Sequence, residues 1–209
     1  TFISSSNVNS MPGLTFSGSE YLSINSCADL DQKPFTWYTV YHTNNSSNQI
    51  ILRSSNTGFS TTLWGSLQSS NEYRVHGRSS LGSFVYSGTS WSSGSHILYG
   101  RWTSVSLGSL DGLSFGSSGG ADSNPTNGSH DETRIGSNTP SGGNQFIGDI
   151  AEVIVFKDAL NTAERTIIHN YLSSKYNILI DAAEDFYNYD ATYGIDVAGI
   201  GRRNSTNQQ

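Results

Sequence analysis

Cysteine, charge and long apolar runs are all scarce in this chain of 209 residues. The single cysteine, Cys27, excludes an internal disulfide framework but not an extracellular location. Charged residues make up 13% of the chain, about half the usual share. The eleven basic residues are scattered, which argues against a nucleic-acid partner. No apolar run approaches the roughly 20 residues that cross a bilayer, which argues against membrane insertion.

The two ends of the chain indicate a segment excised from something longer. No signal peptide is visible. The chain begins with the polar sequence TFISSSNVNS and ends with the polar sequence RRNSTNQQ. We therefore expect the chain to be a part of a longer protein.

Serine takes the polar role that charged residues usually have. The chain has 37 serines, and 34 of them lie in the first 141 residues. A polar but uncharged surface with frequent tryptophan and tyrosine suits neutral ligands such as sugars. The alternative is that secreted bacterial β-proteins share this composition whatever they bind.

Short apolar segments separated by Ser-, Asn- and Gly-rich turns predict many strands. Asp111-Gly112 is a good type I′ dipeptide and predicts a hairpin over residues 105–115. Strands at this spacing are typical of a sandwich or a jelly roll. The other predicted strands are 13–24 (a pair or one bulged strand), 35–42, 49–53, 58–67, 72–77, 83–86, 95–103, 133–136 and 150–156.

The pattern changes at residues 146–178. The segment 150–156 is apolar on both faces apart from Glu152, which predicts a central strand covered on both sides. A helix is predicted to begin at Asn161, because Asn161 and Glu164 have the spacing of a capping box. Its predicted apolar face consists of Ala163, Ile167, Ile168, Tyr171 and Leu172.

This late strand and helix resemble the closing signature of the LamG-like jelly-roll family, in the concanavalin A-like lectin/glucanase superfamily. The resemblance rests on the run GDIAEVIVF from Gly148 to Phe156, followed by the helix with Lys175-Tyr176 near its end. It implies an all-β, two-sheet jelly-roll sandwich with one late helix. We expect a LamG-like domain over residues 1–178 and a C-terminal extension, or the start of a following module, over residues 179–209.

The tail 194–202 is similar to segments that follow this domain in large surface proteins of Bacteroidota. This similarity implies a bacterial protein that is secreted or displayed at the cell surface, such as a multi-domain adhesin or a secreted enzyme. Other cell-surface proteins are then possible partners besides a glycan. Relatives of the fold often carry calcium, and the loop 121–132 offers Asp122, Asn124 and Asp131 as oxygen ligands. The alternative is a solvated polar loop.

Catalytic residues are not apparent. Glycoside hydrolysis needs two carboxylates about 5 to 10 Å apart, and Asp149 and Glu152, three positions apart on one strand, are predicted to point to opposite faces. The acidic signature of the family's glucanases is absent. No G-x-S-x-G elbow occurs, and the five histidines are dispersed without zinc spacing. We expect no enzyme, with a glycoside hydrolase fragment as the least favoured reading.

Sugar recognition is the remaining chemistry, because sugars stack on aromatic rings and hydrogen-bond to polar side chains. An aromatic residue in a β-sandwich is more often packing than recognition, and Trp37 and Trp102 are assigned to the core. The candidate ligand-binding residues lie near turns or alternate on one strand: Trp64, Tyr73, Arg74, His76, Arg78 and Trp91.

The sequence therefore predicts a non-catalytic carbohydrate-binding or adhesion module of a multi-domain protein. The alternative is a structural spacer or protein-binding module of a giant surface protein.

Overall fold

The computed structural model describes residues 1–25, 34–55, 61–68, 72–77, 83–86, 92–103, 106–118, 132–137 and 144–186. These ranges contain thirteen strands and one helix. The elements are β1 (Phe2–Ile3), β2 (Gly13–Ser17), β3 (Leu22–Asn25), β4 (Phe35–Thr43), β5 (Gln49–Ser55), β6 (Thr61–Gln68), β7 (Glu72–Gly77), β8 (Ser83–Tyr86), β9 (Gly94–Trp102), β10 (Ser106–Leu110), β11 (Leu113–Ser118), β12 (Glu132–Ile135), β13 (Ile147–Phe156) and α1 (Thr162–Tyr176).

The strands form two antiparallel sheets, which confirms the predicted sandwich. The seven-stranded sheet has the order β1-β2-β13-β4-β9-β10-β11, and the six-stranded sheet has the order β3-β12-β5-β6-β7-β8. The predicted segment 13–24 is two strands in different sheets, separated by a turn in which Gly18 has a φ of +92°. The predicted hairpin is confirmed, since Asp111 and Gly112 both have positive φ between β10 and β11.

Strand β13 is covered on both faces, as its apolar sequence predicts. One face packs into an inner core between the sheets, which includes Trp37, Tyr41 and Ile150. The other face packs into an outer core beneath the helix, which includes Tyr38 and Leu172. The predicted core position of Trp37 is confirmed, because the side chain is 1% exposed.

The helix begins as predicted but buries a different face. The side chain of Asn161 accepts from the backbone of Ala163 and Glu164 at 2.9 and 3.0 Å. Glu164 accepts in return from the backbone of Asn161 at 2.8 Å, which completes the capping box. Tyr171, predicted to face the core, is 39% exposed, whereas His169 is fully buried. The docked face is therefore rotated toward polar residues. Its apolar contribution comes from Leu172 and Ile168, both of the predicted face, and from Tyr176. This helix is too short and too polar to cross a membrane.

Residues 179–186 pack on the sandwich. The backbone N–H of Asp181 donates to the carbonyl of Asp111 at 2.8 Å. Asn170 donates to the carbonyl of Glu184 at 2.7 Å and accepts from the backbone of Phe186 at 2.8 Å. The first part of the predicted extension is thus bonded to α1 and to the β10–β11 turn, while the predicted boundary after residue 178 stays a prediction.

Gly100 gives Trp37 its place in the inner core. The two residues are opposed on β4 and β9, and a Cβ atom at position 100 would lie 2.5 Å from the indole ring. We predict that Gly100→Ala lowers the free energy of unfolding by roughly 1–3 kcal/mol, as for overpacked cores. Urea unfolding measures the change. In a double-mutant cycle, Trp37→Phe should cost less in the Gly100→Ala background than in the wild type, because the smaller ring relieves the overlap. Additive effects would contradict this account.

The buried His169 makes stability depend on pH. Its ring lies between Tyr38 and Tyr99, at centroid distances of 5.3 and 5.4 Å. Burial lowers the pKa of His169, although Glu184, with its nearest oxygen 3.8 Å from Nδ1, opposes this shift. As the pH falls below about 6.5, the imidazole of His169 binds a proton more readily in the unfolded chain than in the folded protein. The free energy of unfolding therefore falls.

We predict that the melting temperature falls between pH 7.5 and pH 5.5, and that His169→Phe shows a smaller fall over the same range. The ring of Phe keeps the packing and removes the titrating group. His42, whose pKa is also lowered by burial, remains in both proteins and accounts for part of the residual slope. Equal pH dependence in the two proteins would rule out His169 as a source.

Candidate ligand-binding site

Two arginines lie side by side on the six-stranded sheet. Strand β12 lies between β3 and β5, and Arg134 of β12 is directly opposed to Arg53 of β5. Directly opposed residues of an antiparallel pair project from the same face. The next pair along, Leu52 and Ile135, packs into the inner core. Arg53 and Arg134 therefore project from the outer face of this sheet.

The alternation of β12 adds a carboxylate and a hydroxyl to the same face. Glu132 lies two residues from Arg134, and its carboxylate forms an ion pair with that guanidinium. Ser23 of β3 is opposed to Arg134 and hydrogen-bonds to Glu132. We call Ser23, Arg53, Glu132 and Arg134 the arginine-pair site.

Burial strengthens the electrostatics of this site. Arg134 is only 6% exposed and Arg53 is partly exposed. Burial, and after it the charge of Arg134, lower the pKa of Arg53 to about 10, against the opposing effect of Glu132. The hydrogen bond from Arg134 is the main cause of the lowered pKa of Glu132. A guanidinium is a permanent cation in proteins, so the four side chains carry two positive charges and one negative charge.

This arrangement is suited to an anion with hydroxyl groups. Like charges directly opposite on neighbouring strands are destabilising, and an anion between them would offset the repulsion. The planar fork of a guanidinium matches a carboxylate through two parallel hydrogen bonds. Ser23 and Glu132 can bond to neighbouring hydroxyls.

Several predicted ligand-binding residues belong to the same sheet. Arg53 is paired with Leu63 of β6, and Leu52 with Gly65, so Trp64 occupies the irregularity between these two pairs. Arg74 and His76 lie on β7, where they pair with Tyr86 and Phe84 of β8. Arg78 and Trp91 lie outside the described residues.

Tyr73 corrects the expectation that its ring is open to a ligand. The residue has no exposed surface and belongs to the inner core. Its ring stacks on Phe115 at a centroid distance of 6.5 Å, and its hydroxyl donates to the carbonyl of Ser92 at 3.4 Å. Tyr73 and Val75 lie two residues apart on β7 and both belong to the inner core, as the two-residue period of a strand requires.

The predicted calcium ligands Asp122, Asn124 and Asp131 lie outside the described residues, and calcium binding stays a prediction. Glu132, at the end of the same loop, belongs to β12 and bonds to Arg134. Within the part of the chain that the structure describes, no group of three or more His, Cys, Asp or Glu side chains could hold a metal ion.

Asp149 and Glu152 lie on one face of β13, contrary to the prediction that they diverge. The register of β13 against β4 shifts between Ile150 and Glu152, so Ala151 is an additional residue. Such a bulge restores residues three apart to the same face. Ala151 accordingly packs in the outer core, whereas Ile150 packs in the inner core.

Both acids are nevertheless committed to structural partners. Asp149 is 2% exposed, and it accepts hydrogen bonds of 2.7 to 2.8 Å from the backbone and side chain of Asn7 and from Thr15. Glu152 accepts from Lys175 at 3.0 Å and from Tyr176 at 2.9 Å. These bonds attach the N-terminal loop and the helix to the central strand.

Solved structures of a sialidase, a CBM40 and laminin LG domains have a similar fold. A Trypanosoma rangeli sialidase in complex with 2,3-difluoro-KDN aligns with a TM-score of 0.59 and 16% identity over 77% of this chain and 27% of its own. The CBM40 of Ruminococcus gnavus IT-sialidase bound to α2,3-sialyllactose aligns with a TM-score of 0.57 and 10% identity over 71% of this chain and 91% of its own. Domains LG4-5 of the mouse laminin α1 chain align with a TM-score of 0.56 and 14% identity, over 71% of this chain and 43% of theirs.

At these identities the similarity shows the fold alone. The chain spans about a quarter of the length of the sialidase that it matches. No protein-family model and no curated protein sequence matches the chain. The fold is the two-sheet, LamG- and concanavalin A-like sandwich with one late helix that the sequence predicts.

Glu132 offsets part of the repulsion between the two arginines. We predict that Glu132→Gln lowers the free energy of unfolding by roughly 1–3 kcal/mol, between the values for exposed and buried ion pairs. Urea unfolding in low-salt buffer measures the effect. Ser23→Ala, which removes a neutral partner of the same carboxylate, should cost less. Unchanged stability of Glu132→Gln would show that Glu132 does not balance the two arginines.

Proposed function

We propose that this chain is a carbohydrate-binding module that recognises glycans carrying a carboxylate, and that it belongs to a secreted or cell-surface protein. The observation that carries the proposal is the direct pairing of Arg53 with Arg134 on the outer face of the six-stranded sheet. Arg134 is buried and Arg53 is half-buried, and Arg134 forms an ion pair with Glu132, so the site brings two guanidinium groups and a carboxylate together.

The chemistry of the site favours an acidic sugar over a neutral one. A carboxylate can bond to the guanidinium of the half-buried Arg53, next to the charge of the buried Arg134, and the sugar hydroxyls can reach Ser23 and Glu132. The strand β6, with Trp64 beside the partner of Arg53, runs along the same sheet. The sequence alone favours a neutral ligand, because the overall surface is poor in charge; the local pairing of the arginines is the reason to favour an acidic one.

The solved structures of similar fold support an acidic glycan as the ligand. The CBM40 of similar fold was solved with sialyllactose bound in two linkages, and sialic acid carries a carboxylate. A binding role, and not a catalytic one, is proposed for this site, because its carboxylate, Glu132, is engaged with Arg134 in an ion pair.

Binding of 3′-sialyllactose and of lactose, measured by titration calorimetry, tests the proposal. We predict that 3′-sialyllactose binds and that lactose, which lacks the carboxylate, binds at least tenfold more weakly. Hydrogen bonds to charged groups are worth about 1.5–3 kcal/mol, so Arg53→Met should weaken binding about tenfold to 100-fold. Binding should also weaken as salt is added.

Arg101→Met is the matched control, because Arg101 lies on the seven-stranded sheet and donates to the carbonyl of Leu160. This variant should bind like the wild type. The titration is run with and without calcium. Failure of sialyllactose and of glucuronate-bearing glycans to bind under both conditions would overturn the proposal and favour a spacer or protein-binding module.

A further inference from the structure

A Ser–His–Asp arrangement lies at one end of the sandwich, on elements other than those of the arginine-pair site. Ser92 precedes β9, His96 lies near the start of β9, and Asp111 is in the turn between β10 and β11. The hydroxyl of Ser92 is 3.2 Å from Nε2 of His96, and Nδ1 of His96 is 2.7 Å from Oδ2 of Asp111. The sequence gives no sign of it, because serines are everywhere and the three residues form no known motif.

The carboxylate of Asp111 sets the tautomer of His96. The second oxygen of this carboxylate, Oδ1, accepts from the backbone N–H of Ile97 at 2.7 Å. The backbone N–H of Asp111 in turn donates to the carbonyl of Ile97 at 2.9 Å. The carboxylate is thus held from two sides and accepts the Nδ1 proton of the ring. Nε2 of the neutral ring is then the acceptor that faces the hydroxyl of Ser92.

The surrounding residues fix the ring of His96 and the backbone of Ser92. The ring lies between Tyr41 and Tyr73, at centroid distances of 5.9 and 6.0 Å, and the residue is 8% exposed. The hydroxyl of Tyr73 donates to the carbonyl of Ser92. That carbonyl also lies 3.2 Å from Nε2, where it can accept a hydrogen bond from the imidazolium that forms when the ring takes a proton. Ser92 itself is exposed.

A cavity of about 340 Å³ opens beside the serine. Leucine side chains give it an apolar wall, while the polar side consists of the serine, the histidine and two carboxylates. Its lining residues are Ser92, His96, Leu110, Asp111, Leu113, Leu179 and Asp181. The cavity has room for a short acyl chain next to an attacking hydroxyl.

We propose that Ser92 is an activated nucleophile that takes an acyl group from an ester bound in this cavity. The Oγ atom of Ser92 bonds to the acyl carbon while its proton passes to Nε2 of His96. The C–O bond of the ester breaks, and His96 returns the proton to the leaving alkoxide. Water, deprotonated by His96, then releases the acid and restores Ser92. Asp111 is the positioning residue.

Covalent labelling with a fluorophosphonate tests this activity directly. The Oγ–P bond forms, fluoride leaves and the serine proton goes to His96, so only an activated serine reacts readily. We predict that peptide mass spectrometry finds the label on Ser92 and that Ser92→Ala loses it. Release of p-nitrophenolate from p-nitrophenyl butyrate should be lost in the same variant. Label on another residue, or a rate equal to that of the denatured protein, would overturn the proposal.

Two variants separate activation from mere exposure. Ser95→Ala is the matched control, because Ser95 also contacts a histidine, with Oγ 3.0 Å from Nδ1 of His42; it should label like the wild type. Asp111→Asn keeps the turn, since Asn-Gly also favours type I′, but it removes the charge that sets the tautomer. Its labelling should slow about 100-fold, within the usual range for general-base assistance, with an unchanged melting temperature. Labelling of Asp111→Asn at the wild-type rate would overturn the role of the carboxylate.

Discussion

The rest of the structure depends on a strand that must be covered on both faces. β13 lies between β2 and β4 in the seven-stranded sheet, with the inner core on one side and α1 and the outer core on the other. A strand without a solvent face needs apolar residues in both registers. The carboxylates that remain on it, Asp149 and Glu152, are tied to the N-terminal loop and to the helix. The chain thereby attaches both ends of the described domain to one central strand.

The arginine-pair site is a consequence of the same packing. Leu52 and Ile135 enter the inner core as an opposed pair, and the pleat then sends Arg53 and Arg134 outward together. In a chain with only eleven basic residues, such a meeting of two is conspicuous. The Ser–His–Asp arrangement of Ser92, His96 and Asp111 uses other elements, the start of β9 and the β10–β11 turn, so the two proposed activities rest on different parts of the fold.

Features that depend on near neighbours in the sequence were predictable. The Asp111-Gly112 turn, the capping box at Asn161 and the doubly apolar strand β13 each follow from residues within one turn or one strand of each other. The face of α1 was not, because packing against Tyr38 and Tyr99 buried His169 in preference to Tyr171. Nor was the bulge in β13, since one inserted residue reverses the alternation without changing the composition.

By itself, the sequence determined the class of fold and the late helix, because hydrophobic periodicity and capping act over a few residues. Four of its candidate ligand-binding residues lie on the strands β6 and β7. Only the tertiary structure decided which charged and hydroxyl groups meet. Arg53 and Arg134 come from strands far apart in the chain, and Asp111 reaches His96 from the turn after β10, the strand that pairs with β9. The order of the strands places such residues side by side. That order depends on the burial of the whole core, and no local sequence pattern predicts it.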